Sequence, residues 1–250
     1  MTNRFTHPAL GLLLGLALLL GFASQPASAA KKIPVNLRVV THQGKIIFDR
    51  TVPTGTAKIK PSSACPTLGG QRGPARTLAG PTGLGLLYQA SFRYKALRPL
   101  RISDGDFGFG VCGIGGTMAK GEGWWVVRHN YKDAPVGAEL LKLKRRDSVL
   151  FYYSKSWQET TPDSLYLKAP RWLAKSGKVR KGAVVKVRAL VVKAANGKKS
   201  PVEGAKVSGG TAAPTDVRGY TKVKITGKTK LVARQAGLIP SNRVYVSIRK

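Results

Sequence analysis

Histidine, cysteine and acidic residues are all scarce in this chain, and each shortage removes a class of chemistry. There are 3 histidines, 2 cysteines and 11 acidic residues in 250 positions. Common hydrolases set a base beside a nucleophile, and histidine is the usual base. Beyond the N-terminal stretch only His42 and His129 remain. His42 adjoins Gln43-Gly44 and reads as a turn residue, while His129 ends a tryptophan-rich run and reads as a strand-end surface residue or a groove contact. There is no His-Glu-x-x-His pair, no Gly-x-Ser-x-Gly elbow and no phosphate loop, so metalloprotease, esterase and nucleotide hydrolase readings lack their residues. Two-carboxylate glycoside chemistry has only Glu122 with Asp147 or Glu159 to draw on. Asp104 and Asp106 read as turn residues, because the rest of a calcium loop is missing. The chain is therefore read as non-enzymatic, with no catalytic residue, metal or cofactor assigned.

What is abundant is positive charge. Lys and Arg number 43, giving a formal net charge of +32. Ala30 to Leu167 holds 21 basic and 9 acidic residues, and Lys168 to Lys250 holds 21 and 2. Such a field favours anionic partners, among them cell-wall polymers, lipid headgroups, acidic glycans and nucleic acid. A lysine-rich surface also serves solubility alone, and the basic residues are spread through strand-like text instead of gathered into one arm.

Arg4 and His7 precede an apolar run from Pro8 to Ala23, and Ala27, Ser28 and Ala29 offer the small residues a signal peptidase reads. Residues 1–29 are read as a signal peptide. The run is shorter than the roughly 18 to 20 residues that cross a bilayer. A secreted, extracellular protein with no membrane-spanning segment in the mature chain is expected, either free or associated with the cell wall. In that oxidising setting an even cysteine count favours a disulfide between Cys65 and Cys112.

Val35, Leu37 and Val39 alternate with Asn36 and Arg38, so Ile33 to Val40 reads as a strand, and Gln43-Gly44-Lys45 turns it into a returning strand from Ile46 to Val52. Pro53 to Pro81 is a long Pro- and Gly-rich excursion that a disulfide would tether. Thr82 is placed to cap a helix whose stripe is Leu87, Ala90, Tyr94 and Leu97, with Pro99 as its stop. It is the one good helix expected. Arg101 to Ile114 reads as a strand in which Phe107, Phe109 and Val111 alternate with glycines, leaving one face without side chains. Trp124 to Val127 and Val149 to Tyr153 are short aromatic and β-branched runs, read as strands joined by a polar connection through Asn130, Asp133, Pro135 and Gly137.

Gly123-Trp124-Trp125, Val136-Gly137 and the segment Asp147 to Tyr153, following a hairpin, a helix and a strand, resemble the transcobalamin C-terminal-like family over Ala30 to about Ser156. That resemblance implies a β-grasp type fold, surface display, and a small-molecule (cobalamin-like) carrier as an alternative function. No matching set of cobalamin contacts is recognisable. The family places a Gly before the Asp of its last strand; here Arg146 stands there, which argues against a turn needing positive φ.

Beyond Leu165, turn signals recur at Asn196-Gly197, Gly204, Gly209-Gly210, Gly219, Gly227 and Gly237, the spacing of a β-sandwich. Pro201 to Val207, Thr215 to Gly219 and Leu231 to Ala233 resemble an immunoglobulin-like module of the carboxypeptidase regulatory or collagen-adhesin B kind, which implies a stalk or adhesive spacer. The expected fold is mainly β with one helix: a β-grasp-like (α+β) domain at 30–167, a linker at 168–182 and an immunoglobulin-like β-sandwich at 183–250.

The residues read as a ligand surface are Trp124, Trp125, Arg128, Tyr131, Lys142, Lys144, Tyr152, Tyr153 and Trp157. Aromatics beside cations suit glycans, flat ligands or stacked bases. One residue of each aromatic pair belongs on the outer sheet face unless a second layer covers it. The functional expectation is an exported bacterial binding or adhesion protein at the cell surface. Its partner is read as an anionic surface polymer, a glycan or a surface protein, with nucleic acid or another polyanion as a further alternative.

Overall fold

The computed structural model describes residues 32–65 and 69–249, so the signal-peptide reading of 1–29 lies outside the described residues. The first half runs β1 (Ile33–Val40), β2 (Ile46–Thr54), β3 (Ala57–Ile59), β4 (Arg76–Leu78), α1 (Gly83–Arg93), β5 (Leu100–Gly105), β6 (Gly108–Ile114), β7 (Thr117–Met118), β8 (Trp124–His129), β9 (Lys132–Asp133) and β10 (Ser148–Ser154). The second half adds β11 (Ser164–Lys168), α2 (Arg171–Ser176), β12 (Lys178–Val179), β13 (Val184–Val192), β14 (Lys199–Pro201), β15 (Lys206–Ser208), β16 (Tyr220–Lys224), β17 (Thr229–Arg234) and β18 (Val244–Ile248).

Five strands form one mixed sheet in the order β2-β1-β10-β8-β9, with β1 and β10 parallel at its centre. Its inner face carries Val35, Leu37, Val39, Val149, Phe151 and Trp125, which pack against α1. Thr82 caps α1 as expected, its hydroxyl accepting from the Gly85 amide at 3.0 Å. Gly85 is needed there because a Cβ would come within 2.9 Å of the same hydroxyl and 3.3 Å of the Ala57 side chain. Leu84, Leu86 and Leu87 are fully buried, each contributing about 2 kcal/mol by burial. The helix is shorter than its stripe predicts: Tyr94 leaves it with φ −121°, and Lys95–Leu97 form a separate 3-10 turn. Tyr94 then packs its ring on Phe48, centroids 4.7 Å apart.

The stretch expected as one strand from Arg101 to Ile114 is a hairpin, β5 against β6, with Asp106 and Phe107 at its turn. Cys65 and Cys112 are joined, Cα atoms 5.6 Å apart, which fastens the Pro- and Gly-rich excursion to β6.

The second half is a sandwich of two four-stranded sheets, β13 flanked by β11, β14 and β16 in one, and β12-β18-β17-β15 in the other. Its core holds Leu165, Val185, Val187, Val223, Leu231 and Val246. The expected boundary at 167 and linker at 168–182 are corrected here. β11 pairs along its whole length with β13, α2 and β12 occupy the supposed linker, and Leu173 and Val179 from them enter the sandwich core. Buried apolar side chains outweigh the linker-like Ala169-Pro170 and Lys-rich composition.

The sandwich covers the outer face of the mixed sheet. Val40, Ile46, Leu150 and Tyr152 from the sheet form one buried cluster with Val232 and Ile239. Arginines then close the seam on main-chain acceptors: Arg38 Nη1 donates to the Pro240 carbonyl at 2.8 Å and Arg234 Nη1 to the Gly44 carbonyl at 2.8 Å.

Candidate binding groove

Register decides which of the expected site residues meet. Tyr153 pairs with Trp125 and Ser154 with Trp124, so the aromatic pairs do sit on adjoining strands. Trp125 and Tyr153 point into the core, ring centroids 5.4 Å apart. Tyr152 points outward and is buried beneath the sandwich, so it is not a surface residue. Arg128 has no exposed side-chain surface at all. Its Nε pairs with Asp133 at 2.7 Å, Nη1 donates to Ser164 Oγ at 2.8 Å and Nη2 to Thr161 Oγ1 at 3.0 Å. It is a strut between β8 and β11 instead of a ligand contact.

The lysines also go elsewhere. Lys142 Nζ donates to the Ala79 carbonyl at 3.0 Å beside the start of α1, and the Lys144 amide donates to Asp147 at 2.8 Å. Trp157 is 65% exposed and stands apart from the groove lining. Tyr131 lies at the β8–β9 turn against Tyr166, in contact with the second half.

Trp124 and Trp125 do line a groove, of about 580 Å³, between β8 and the tip of the β5–β6 hairpin. Phe107 and Phe109 form the opposite wall, and the connection Asp133 to Ala138 forms the floor. Phe107 is fully exposed, and Trp124 is partly so. Phe109 is held by Arg76, whose guanidinium carbon lies 3.9 Å from the ring centroid and whose Nη2 pairs with Asp104. Glu139 accepts from the Phe109 amide at 3.2 Å, fixing the hairpin to the connection. Trp125 Nε1 is buried without a partner in the protein, a donor that structures seldom leave unused. Among the described residues no lysine or arginine lines this groove; Asp133, Glu159 and Thr161 do. The expected juxtaposition of aromatics with cations is therefore corrected. Phe107 was legible as an aromatic among glycines, but it is the hairpin, not the expected single strand, that places it in the lining of the same groove as Trp124.

A polar knot fixes the far end of β8. His129 Nε2 lies 2.7 Å from Asp147 Oδ2, and Asn130 Nδ2 donates to Asp147 Oδ1 at 3.0 Å. His129 is thus a strand-end brace, with no nucleophile in the knot. Burial alone would raise the Asp147 carboxyl, but the hydrogen bonds from Asn130, the Lys144 amide and His129 outweigh it and hold the group below its ordinary value. A lowered native pKa stabilises the fold above the unfolded carboxylate value of about 3.9, and that contribution is lost as pH falls through the native value. Asp163, paired with Lys193 at 2.9 Å, acts with the same sign. The urea midpoint is expected to fall between about pH 4 and pH 2, and Asp147→Asn is expected to flatten that acid limb. An unchanged limb would remove the knot from the account.

No family model matches the sequence, and no curated protein matches it. Among solved structures, the chain is similar to "Crystal Structure of Haptocorrin in Complex with Cbi" at TM-score 0.35 and 14% identity, over 50% of this chain. The match spans 25% of the haptocorrin chain, and a likeness of that size carries no functional inference.

Proposed function

We propose that this is an exported, non-enzymatic binding protein that acts at the cell surface by holding a neutral glycan in the groove between Trp124 and Phe107. The observation that carries the reading is that the fully exposed Phe107 lines, with Phe109, Trp124 and Trp125, one groove whose described lining includes no lysine or arginine. Soluble proteins keep large apolar side chains grouped at the surface chiefly where something docks. The apolar face of a sugar ring stacks on such walls, while Asp133, Glu159 and Thr161 offer acceptors for its hydroxyls. The disulfide supports an oxidising compartment. The described residues include no helix long and apolar enough to cross a membrane.

Titration of neutral chito-, cello- and malto-oligosaccharides against tryptophan fluorescence tests the reading. Trp124→Ala and Phe107→Ser are each expected to weaken binding about tenfold, the loss of one stacking contact of about 1.4 kcal/mol. Both exposed sites should leave stability within about 0.5 kcal/mol. No response to any neutral glycan, or binding by both variants as tight as the parent's, sinks it. Parallel arms with cobalamin and with DNA at two salt concentrations separate the carrier and polyanion alternatives, the latter by its steep salt dependence.

A further inference from the structure

Three non-glycine residues hold positive φ in the described chain: Asn130 at 51°, Tyr131 at 73° and Arg146 at 71°. Asn tolerates that region, but Tyr and Arg occupy it at a cost that the surroundings have to offset. All three line one cavity of about 500 Å³, on the seam between the mixed sheet and the sandwich. Arg146 stands in that conformation despite the sequence expectation against it. The Arg146 amide donates to the Pro34 carbonyl at 2.8 Å and the Asp147 amide to the Lys144 carbonyl at 3.1 Å, so the turn is pinned from both sides.

The cavity is cationic. Arg38, Arg146, Lys199 and Arg243 line it against a single carboxylate, Asp49. Arg38 is 3% exposed, and its Nη2 is buried with no partner in the protein. Asp49, opposite Arg38 in the β1–β2 register, attracts it without forming an ion pair, and Asp49 Oδ2 instead accepts from the Arg243 amide at 2.6 Å. A buried guanidinium nitrogen without an acceptor is costly and calls for an explanation. Tyr131 lies between two of the cations, its ring 5.2 Å from the Arg38 guanidinium carbon and 5.9 Å from Lys199 Nζ. Burial pushes its phenol up to about 12 against the pull of Arg38, so the hydroxyl remains a donor at neutral pH.

We infer that this cavity binds a tetrahedral oxyanion group, a phosphate or sulfate ester, with Arg38 Nη2 as its buried donor and Arg146, Lys199 and Arg243 completing the charge. Guanidinium forks match the oxygen spacing of such groups. The room beyond the ion itself, walled by Tyr131 and Tyr166, fits the sugar or polyol that carries the ester. The site is separate from the aromatic groove, so each proposal stands or falls alone.

Isothermal titration of the intact chain with inorganic phosphate, inorganic sulfate and acetate, at fixed ionic strength, tests it. Saturable binding of phosphate or sulfate is expected, the stronger of the two naming the ester. The exposed pair Arg146→Ala/Lys199→Ala is expected to weaken binding at least about tenfold, while Lys222→Ala, which removes a charge from the exposed side of β16, leaves it unchanged. Asp49→Asn, which deletes the only carboxylate and keeps an oxygen for the Arg243 amide, is expected to tighten binding. An absence of saturable heat, acetate binding as well as the dianions, or an equal loss in Lys222→Ala overturns the inference.

Discussion

Asp133→Ala is expected to cost about 3 kcal/mol of stability, more than an ordinary substitution of a half-exposed residue. The reason lies in its partner. Arg128 has a fully buried side chain, and Asp133 is its only ion-pair partner among the described residues. Removing the acid strands a guanidinium charge among Ser164, Thr161 and apolar neighbours, where hydrogen bonds remain and Asp163 acts only at a distance, without an ion pair. Removing the base is less severe, since Asp133 is 44% exposed and water can take over. Arg128→Met is then expected to cost about 2 kcal/mol, chiefly from Ser164 Oγ losing its donor. The double variant should be more stable than Asp133→Ala alone, because the stranded charge is gone. Urea unfolding of the four proteins reads the cycle directly. Equal losses in the two single variants, or additive losses in the double, would show the charge is not truly desolvated.

The second large effect belongs to the cysteines. Cys65 and Cys112 are 47 residues apart in sequence, and releasing that loop in the unfolded chain is worth about 4 kcal/mol in the entropy model. For a chain of this size the Cys65→Ala/Cys112→Ala variant should melt roughly 8 to 16 °C lower than the parent. The same shift should follow reduction of the parent protein. A loss under about 1 kcal/mol would mean that other contacts already hold the excursion in the reduced, unfolded reference state. In the folded protein the excursion is also held by main-chain bonds: the Cys65 amide bonds the Gly70 carbonyl at 2.8 Å, and Gln71 and Asp104 exchange amide bonds at 2.7 Å.

Much of the fold was legible because alternation and capping act locally. Val35, Leu37 and Val39 announced β1, Thr82 announced the start of α1, and the recurrent glycines of the second half announced its turns. Where the sequence reading went astray, tertiary packing outweighed local pattern. Tyr94 fits the helical stripe but leaves it to meet Phe48. Lys-rich text around 175–182 resembles a linker because its two anchoring side chains, Leu173 and Val179, are few and far apart. The candidate site suffered most. Arg128 and Tyr152 share the outer face with Trp124, as strand alternation requires, yet nothing in the local text says that β17 and Ile239 will cover that face. Arg146 shows the same limit for the backbone, since a β1 carbonyl holds a conformation its own side chain disfavours.

The central pairing of the mixed sheet has a consequence for how the molecule is made. β1 finds its parallel neighbour only in β10, at the far end of the first half. A chain growing from its N-terminus presents the β1–β2 hairpin long before that neighbour exists, with the β1 edge open and apolar residues on both faces. Such an edge is an invitation to pair with another unfinished copy. Arg38, Lys45 and Arg50 lie in or beside that hairpin, and the whole polypeptide repels its own kind. By that repulsion the surplus of lysine and arginine opposes association of half-built molecules before their last strand arrives.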